Sequence, residues 1–155
     1  GIACIPEGRR MFAKLTVEEN LRLGAYVKGG RLARGLERVY GLFPRLAERR
    51  AQKVGTLSGG EQAMVSIGRG VIAEPRLLVI DEPSLGLSPL FVKESFSIIQ
   101  RLNGEGTTVF LIEQNVRQTL AISKAGYVLA QGHITAAGTS AALAADEDVR
   151  RAYFG

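Results

Sequence analysis

The sequence predicts an α/β fold built on a parallel sheet, and three observations carry that expectation. Leu77–Ile80 and Thr107–Ile112 are apolar runs of strand length, the pattern of strands buried on both faces of a parallel sheet. Stretches with helical spacing alternate with them, which defines the α/β class. Finally, Asp81 and Glu82 follow directly on the first run. Carboxylates there sit at the carboxyl edge of the sheet, where open α/β sheets bind ligands.

Taken in order, Ile2–Ile5 is a short apolar strand that stops at Pro6-Glu7-Gly8, and the basic loop Arg9-Arg10 leads on to Thr16. Thr16-Val17-Glu18-Glu19 has the form of a capping box, with Val17, Leu21 and Ala25 at helical spacing. Gly29-Gly30 breaks that helix, and a second runs from about Arg31 to Phe43, before Pro44. Residues 13–56 thus form a small helical subdomain, between a leading segment 1–12 and a core 57–155. Gly59–Ala73 is a helix with Ala63, Ile67 and Val71 on one face and Glu61, Ser66 and Arg69 elsewhere. Ser88-Pro89 supplies a cap and a first residue for a helix to about Leu102, stopped by Asn103-Gly104. Asn115–Ser123 forms a helix, Tyr127–Ala130 pairs with His133–Ala137 across Gln131-Gly132, and short helices occupy 139–145 and 146–153.

Length, 155 residues, fits one ordinary domain, and 46% hydrophobic with 23% charged residues is the composition of a soluble globular protein. No apolar run approaches the length of a membrane span, and the start at Gly1 has no basic region before an apolar stretch, so no signal peptide is expected. Cys4, the single cysteine, cannot form an internal disulfide and lies in an apolar stretch, which predicts a buried thiol compatible with a reducing cytoplasm. Charge is uneven, with a net of +7 over residues 1–53 and −2 over residues 54–155. The arginines of the basic part are interspersed with Leu, Val and Tyr and have no aromatic platform between them, so a solvated helical surface is favoured over nucleic-acid binding.

The chemistry rests on two segments. Leu57-Ser58-Gly59-Gly60-Glu61-Gln62 opens a helix, and Ser58-x-x-Glu61 fits a capping box. Two glycines in a first helical turn each cost up to about 1 kcal/mol relative to alanine, a choice that suits a ligand approaching the backbone. Ser58 Oγ, the Gly60 amide and the helix dipole can together grip a terminal phosphate. At the second segment, Asp81 can hold Mg²⁺ through water while Glu82 orients or deprotonates an attacking water. The alternative reading is a pair of acidic residues that begins a polar turn. Both segments point to ATP chemistry, yet the phosphate-cradling pattern GxxxxGK[ST] is found nowhere between Gly1 and Gly155.

Together these residues resemble the nucleotide-binding domain of ABC ATPases, with LSGGEQ as the signature and Leu77–Glu82 as the Walker B strand. Pro6-Glu7-Gly8-Arg9-Arg10-Met11-Phe12, Leu15-Thr16-Val17-Glu18-Glu19-Asn20, Glu113-Gln114-Asn115-Val116 and Val149-Arg150-Arg151-Ala152-Tyr153-Phe154-Gly155 are most similar to the ATP-binding subunit of branched-chain amino acid importers. The resemblance implies a P-loop NTPase-like parallel sheet with an inserted helical subdomain whose N-terminal part is missing. ATP and Mg²⁺ are the implied cofactors. It implies nucleotide contacts from Ser58, Gly59, Gly60, Glu61 and Glu7, metal contacts from Asp81 and Glu7, and catalytic roles for Glu82 and Gln114. Glu7 stands where most members carry the Q-loop glutamine, and Gln114 stands in place of the switch histidine. Ser84-Leu85-Gly86-Leu87 corresponds to the D-loop. The implied partners are a second ATPase subunit, head to tail, and integral-membrane permeases facing residues 13–56, at the cytoplasmic face of the membrane; nucleic acid is not expected.

The Walker A loop and its strand would precede Gly1, so the resemblance implies a truncated sequence, unable by itself to hydrolyse ATP. It also places the missing strand between those at Leu77–Ile80 and Thr107–Ile112, so the chain must close a gap or leave strand edges unpaired, and is expected to be marginal and prone to aggregate. A soluble ABC ATPase acting on nucleic acid, as in DNA repair, or on ribosomes, and an inactive remnant, are the alternatives; the short stretch between Glu7 and Leu57, with no coiled-coil insertion, disfavours the DNA-repair enzymes. Gly68-Arg69-Gly70-Val71-Ile72-Ala73 matches a dinucleotide fingerprint, but Pro75 leaves no room for the helix that motif must open. His133, the only histidine, has no second ligand or triad partner nearby in sequence, and Ser58, Ser66 and Ser84 lack a candidate base.

Overall fold

The computed structural model describes residues 1–26 and 32–153 and divides the chain into two units, Gly1–Ile112 and Glu113–Gly155. The first unit runs β1 (Ile2–Ile5), α1 (Val17–Gly24), α2 (Leu32–Leu42), α3 (Pro44–Glu48), a 3₁₀ turn at Val54–Thr56, α4 (Gly59–Val71), β2 (Leu77–Asp81), α5 (Pro89–Gly104) and β3 (Thr108–Ile112). The glycine break expected at Gly29-Gly30 and the helix start at Arg31 fall outside the described residues, as do Phe154 and Gly155.

β1, β2 and β3 form one parallel sheet in that order, with Ile5 opposite Ile80 and Asp81 opposite Ile112. Of the two expected outcomes, a closed gap or unpaired strand edges, the first is found between the second and third strands. β2 and β3 pair directly over five residues, because each then satisfies the amides and carbonyls that an intervening space would leave open. The expected burial needs correction. In β2 only Leu78 and Ile80 are buried, while Thr108, Phe110 and Ile112 of β3 are exposed. An unbroken apolar run identifies a strand without telling how many of its faces are covered.

α4 is the hub of the first unit. Ala63, Ile67 and Val71 are buried as their spacing predicts, but so are Glu61 and Ser66, so the helix is enclosed on nearly every side. Around it lie Leu21 of α1, Val39 of α2, Leu46 of α3 and Leu78 of β2, all fully buried. Three of its glycines are needed for this packing. A Cβ on Gly68 would meet Val39 Cγ1 at 2.8 Å, one on Gly70 would meet Ile5 Cγ1 at 2.7 Å, and one on Gly60 would lie 2.3 Å from the Phe91 ring of α5. Gly68 and Gly70, the apparent dinucleotide fingerprint, are therefore contact points in mid-helix.

Both expected capping boxes form. At α1 the Glu19 amide donates to Thr16 Oγ1 at 3.2 Å, and the Thr16 amide donates to Glu19 Oε2 at 2.7 Å. The segment before it is held by Asn20, a fully buried side chain. Its Oδ1 accepts from the Phe12 amide at 3.0 Å, and its Nδ2 donates to the carbonyls of Phe12 and Thr16. At α5, Pro89 occupies the first turn as expected, but the Ser88 side chain makes no capping bond, and the helix runs on through Asn103 to Gly104. Cys4 is exposed rather than buried: Ile5 turns inward on β1, and in a strand its neighbour faces the other way.

The second unit holds α6 (Val116–Ile122), the antiparallel pair β4 (Ala125–Ala130) and β5 (His133–Thr139), α7 (Ser140–Ala145) and α8 (Glu147–Tyr153). Gln131 and Gly132 join the strands with φ of 49° and 80°, the backbone that a two-residue hairpin needs. His133 opens β5 and is exposed, as expected of a surface strand residue.

Gly60→Ala should cost about 1–3 kcal/mol in urea-unfolding experiments, and in a Phe91→Ala background the same change should cost at least about 1 kcal/mol less. Equal costs in the two backgrounds would show that Phe91 does not set the size limit at this position.

Candidate functional site

The parallel register brings the ends of β1 and β2 to the same edge. There Pro6, Gly8 and Arg9 from one strand end, and Asp81 and Glu82 from the other, line a cleft of about 400 Å³, with Gln62 and Ser66 of α4 on its wall. The cleft lies wholly within the first unit. Asp81 closes β2 and is half-buried. Glu82 leaves the strand in a left-handed conformation, φ 49°, with its amide donating to the Ile112 carbonyl at 2.9 Å. Non-glycine residues in that region are strained, and such strain concentrates at functional sites. A tight turn follows, in which the Leu85 amide donates to the Glu82 carbonyl and the Leu87 amide to the Ser84 carbonyl.

The loop after β1 is contorted in the same way: Gly8, Arg9 and Arg10 have φ of 73°, 63° and 42°. Two side chains of α4 hold this run in place. Ser66 Oγ donates to the Arg9 carbonyl at 3.3 Å, and Arg69 donates from Nη2 to the same carbonyl at 3.2 Å and from Nη1 to the Arg10 carbonyl at 2.8 Å. Burial lowers the pKa of the Arg69 guanidinium, and the two carbonyls give its protons acceptors in place of water. The Arg9 side chain crosses the cleft mouth and donates from Nη2 to the Leu85 carbonyl at 3.2 Å.

At the start of α4, Ser58 and Gly59 are exposed and lie off the cleft wall. Ser58 Oγ accepts from the Glu61 amide at 3.3 Å and donates to Glu61 Oε2 at 2.8 Å, and the Ser58 amide donates to that same oxygen. The hydroxyl expected to grip a phosphate is thus engaged in its own capping box. The amides of Gly59 and Gly60 are first-turn donors, which a helix leaves without intrahelical acceptors. Glu61 is buried, and its other oxygen pairs with Arg49 Nε at 3.1 Å. Burial works against its charge, but the hydrogen bonds from Ser58 and the positive charges of Arg49 and Arg45 outweigh it and keep the carboxyl below its ordinary range.

Of the residues singled out from sequence, Asp81 and Glu82 share the cleft. Glu7 is exposed and does not line it, although Pro6 and Gly8 on either side do. Gln114 belongs to the second unit, where it is exposed just ahead of the α6 cap Asn115. Among the described residues no three His, Cys, Asp or Glu side chains cluster into a closed metal cage. Two adjacent carboxylates on an open cleft do suit Mg²⁺, which keeps several waters and takes one or two carboxylates plus phosphate oxygens. Arg9, Ser66 and Arg69 were not foreseen as part of the site. The one sequence signal was Gly8 before two arginines, which marks a turn without revealing its grip on α4.

The paired, buried Glu61 gives a pH prediction. Because its folded pKa lies below the usual 4.5, its contribution is complete above that value and is lost as pH falls through the depressed one. Glu61→Gln should therefore be less stable than wild type near neutrality by about 1–2 kcal/mol, and the difference should shrink in acid unfolding experiments. A gap that stays constant down to acid pH would count against a charged Glu61.

Residues 1–85 match the ABC transporter family. The chain is 49% identical over 155 residues to the high-affinity branched-chain amino acid transport ATP-binding protein BraG of Pseudomonas aeruginosa, covering 99% of this chain and 66% of BraG. It is 34% identical over 158 residues to the lipopolysaccharide export system ATP-binding protein LptB of Escherichia coli, again covering 66% of that relative. Among solved structures, an ATP-binding cassette of an ABC transporter in its ADP conformation superposes with a TM-score of 0.79 at 26% identity, over 100% of this chain and 68% of that one. The chain thus spans about two thirds of the length of these proteins. With the fold, the signature at the start of α4 and the acidic end of β2 in agreement, the chain belongs to the ABC transporter family.

Proposed function

We propose that this chain is part of an ATP-hydrolysing subunit that energises the import of branched-chain amino acids. The observation that carries the hydrolytic reading is the cleft at the carboxyl edge of the sheet, where Asp81 and Glu82 stand side by side and Glu82 is held in a strained backbone. The importer reading is supported by the 49% identity to BraG.

In this reading Asp81, which closes β2, would hold Mg²⁺. The cation supplies positive charge against the phosphates. Glu82 orients the attacking water or takes its proton, and Gln114 donates a hydrogen bond to phosphate, which it does without becoming a cation. Glu7 would coordinate the metal or sense the nucleotide. The first-turn amides of Gly59 and Gly60, with Ser58 and Glu61, serve the nucleotide of a second subunit arranged head to tail. Residues 13–56 face the permease, and Leu23 and Tyr26 offer exposed apolar area there. Among the described residues no helix is long and apolar enough to cross a membrane, which fits a subunit held at the cytoplasmic face by its permeases. The LptB likeness favours a second reading, export of a lipopolysaccharide, on the same chemistry.

In the subunit that contains this chain, Glu82→Gln should lower ATP hydrolysis by about 100-fold or more while leaving ATP binding intact. Hydrolysis that survives the substitution would remove Glu82 from the reaction. Uptake of labelled leucine by cells that depend on the subunit should fall in parallel; a defect in lipopolysaccharide export with normal uptake would favour the second reading.

A further inference from the structure

Arg9 bridges two segments of the first unit. It lines the cleft that holds Asp81 and Glu82, and its Nη2 donates to the Leu85 carbonyl at 3.2 Å. Ser66 and Arg69 fix its own carbonyl and that of Arg10 in left-handed backbone. The same guanidinium lies against the start of α4: a Cβ on Gly59 would meet Arg9 Nη1 at 3.3 Å, and one on Gly86 would lie 3.8 Å from Nη2. One side chain therefore touches the turn after the acidic pair and the first turn of α4 together, while its own backbone is anchored further along that helix.

We propose that Arg9 is a positioning residue that ties the Leu85–Gly86 turn to the first turn of α4 and so holds the acidic pair and the Gly59-Gly60 amides in a fixed relation. The tie itself is a statement about the fold. Its effect on turnover rests on the hydrolytic reading given above, in which both segments meet nucleotide. A planar guanidinium suits the task because its fork of donors can serve the Leu85 carbonyl while its face lies along a glycine backbone. The absence of a Cβ at Gly59 leaves room for it, since one there would stand 3.3 Å from Arg9 Nη1.

Two measurements separate the tie from the reaction. By amide hydrogen exchange on the chain, Arg9→Ala should speed exchange at Leu85 and Leu87 by about tenfold, the scale of one lost charge-assisted hydrogen bond. Leu78 and Ile80 in β2 should stay unchanged, and Arg9→Lys should restore part of the protection. No change at Leu85 and Leu87, or an equal rise at Leu78 and Ile80, overturns the proposal, the latter by showing general destabilisation. In the nucleotide-hydrolysing subunit, Arg9→Ala should reduce kcat by about tenfold at an unchanged KM for ATP, with partial recovery in Arg9→Lys. An unaltered kcat, or a change confined to KM, overturns the effect on turnover. If the unsubstituted subunit hydrolyses no ATP, the hydrolytic reading fails and the exchange result alone decides whether the tie exists.

Discussion

The grip of α4 on the carbonyls of Arg9 and Arg10 is the constraint on which the rest of the first unit depends. Three successive residues in left-handed backbone are costly, and only Gly8 adopts that region freely. Ser66 and Arg69 offset the cost by bonding the carbonyls that this conformation turns toward the helix. Because α4 is buried on almost all sides, its side chains form a rigid reference against which the loop is set. The loop then forms one wall of the cleft, and its Arg9 side chain reaches the turn beyond β2.

A second link runs through Glu61. One carboxylate caps α4 with one oxygen and pairs with Arg49, just beyond α3, with the other. The start of α4 is thereby coupled to the helical segment, which is itself closed by the bridge between Thr16 and Lys53. α4 therefore shares polar contacts with both the loop after β1 and the helical segment, and a shift in either must be accommodated there.

What the sequence made legible was whatever rests on short range. The Thr16 and Ser58 capping boxes, the Gln131-Gly132 turn and the apolar runs of β1, β2 and β3 each require only a few neighbouring residues, and the acidic pair was found because strand ends have a known place in such sheets. Contacts between distant segments were hidden. Gly60 read as a residue left small for a ligand, and its nearest obstacle is the Phe91 ring, thirty-one positions away. Arg69 read as a residue off the apolar face of its helix, yet it spans to a loop sixty positions earlier. The exposure of Phe110 and of Cys4 likewise depends on what covers each strand face, which no local pattern records.

That exposure of Cys4 has a practical side. The chain carries one thiol, on a surface shared with Arg10, Phe12 and Arg69, the last of which clamps the contorted loop. A maleimide-linked fluorophore would therefore attach at a single known address, with no competing site to block. Its emission would sense polarity changes beside the clamp, giving an optical readout of loop movement without altering any residue assigned to the cleft.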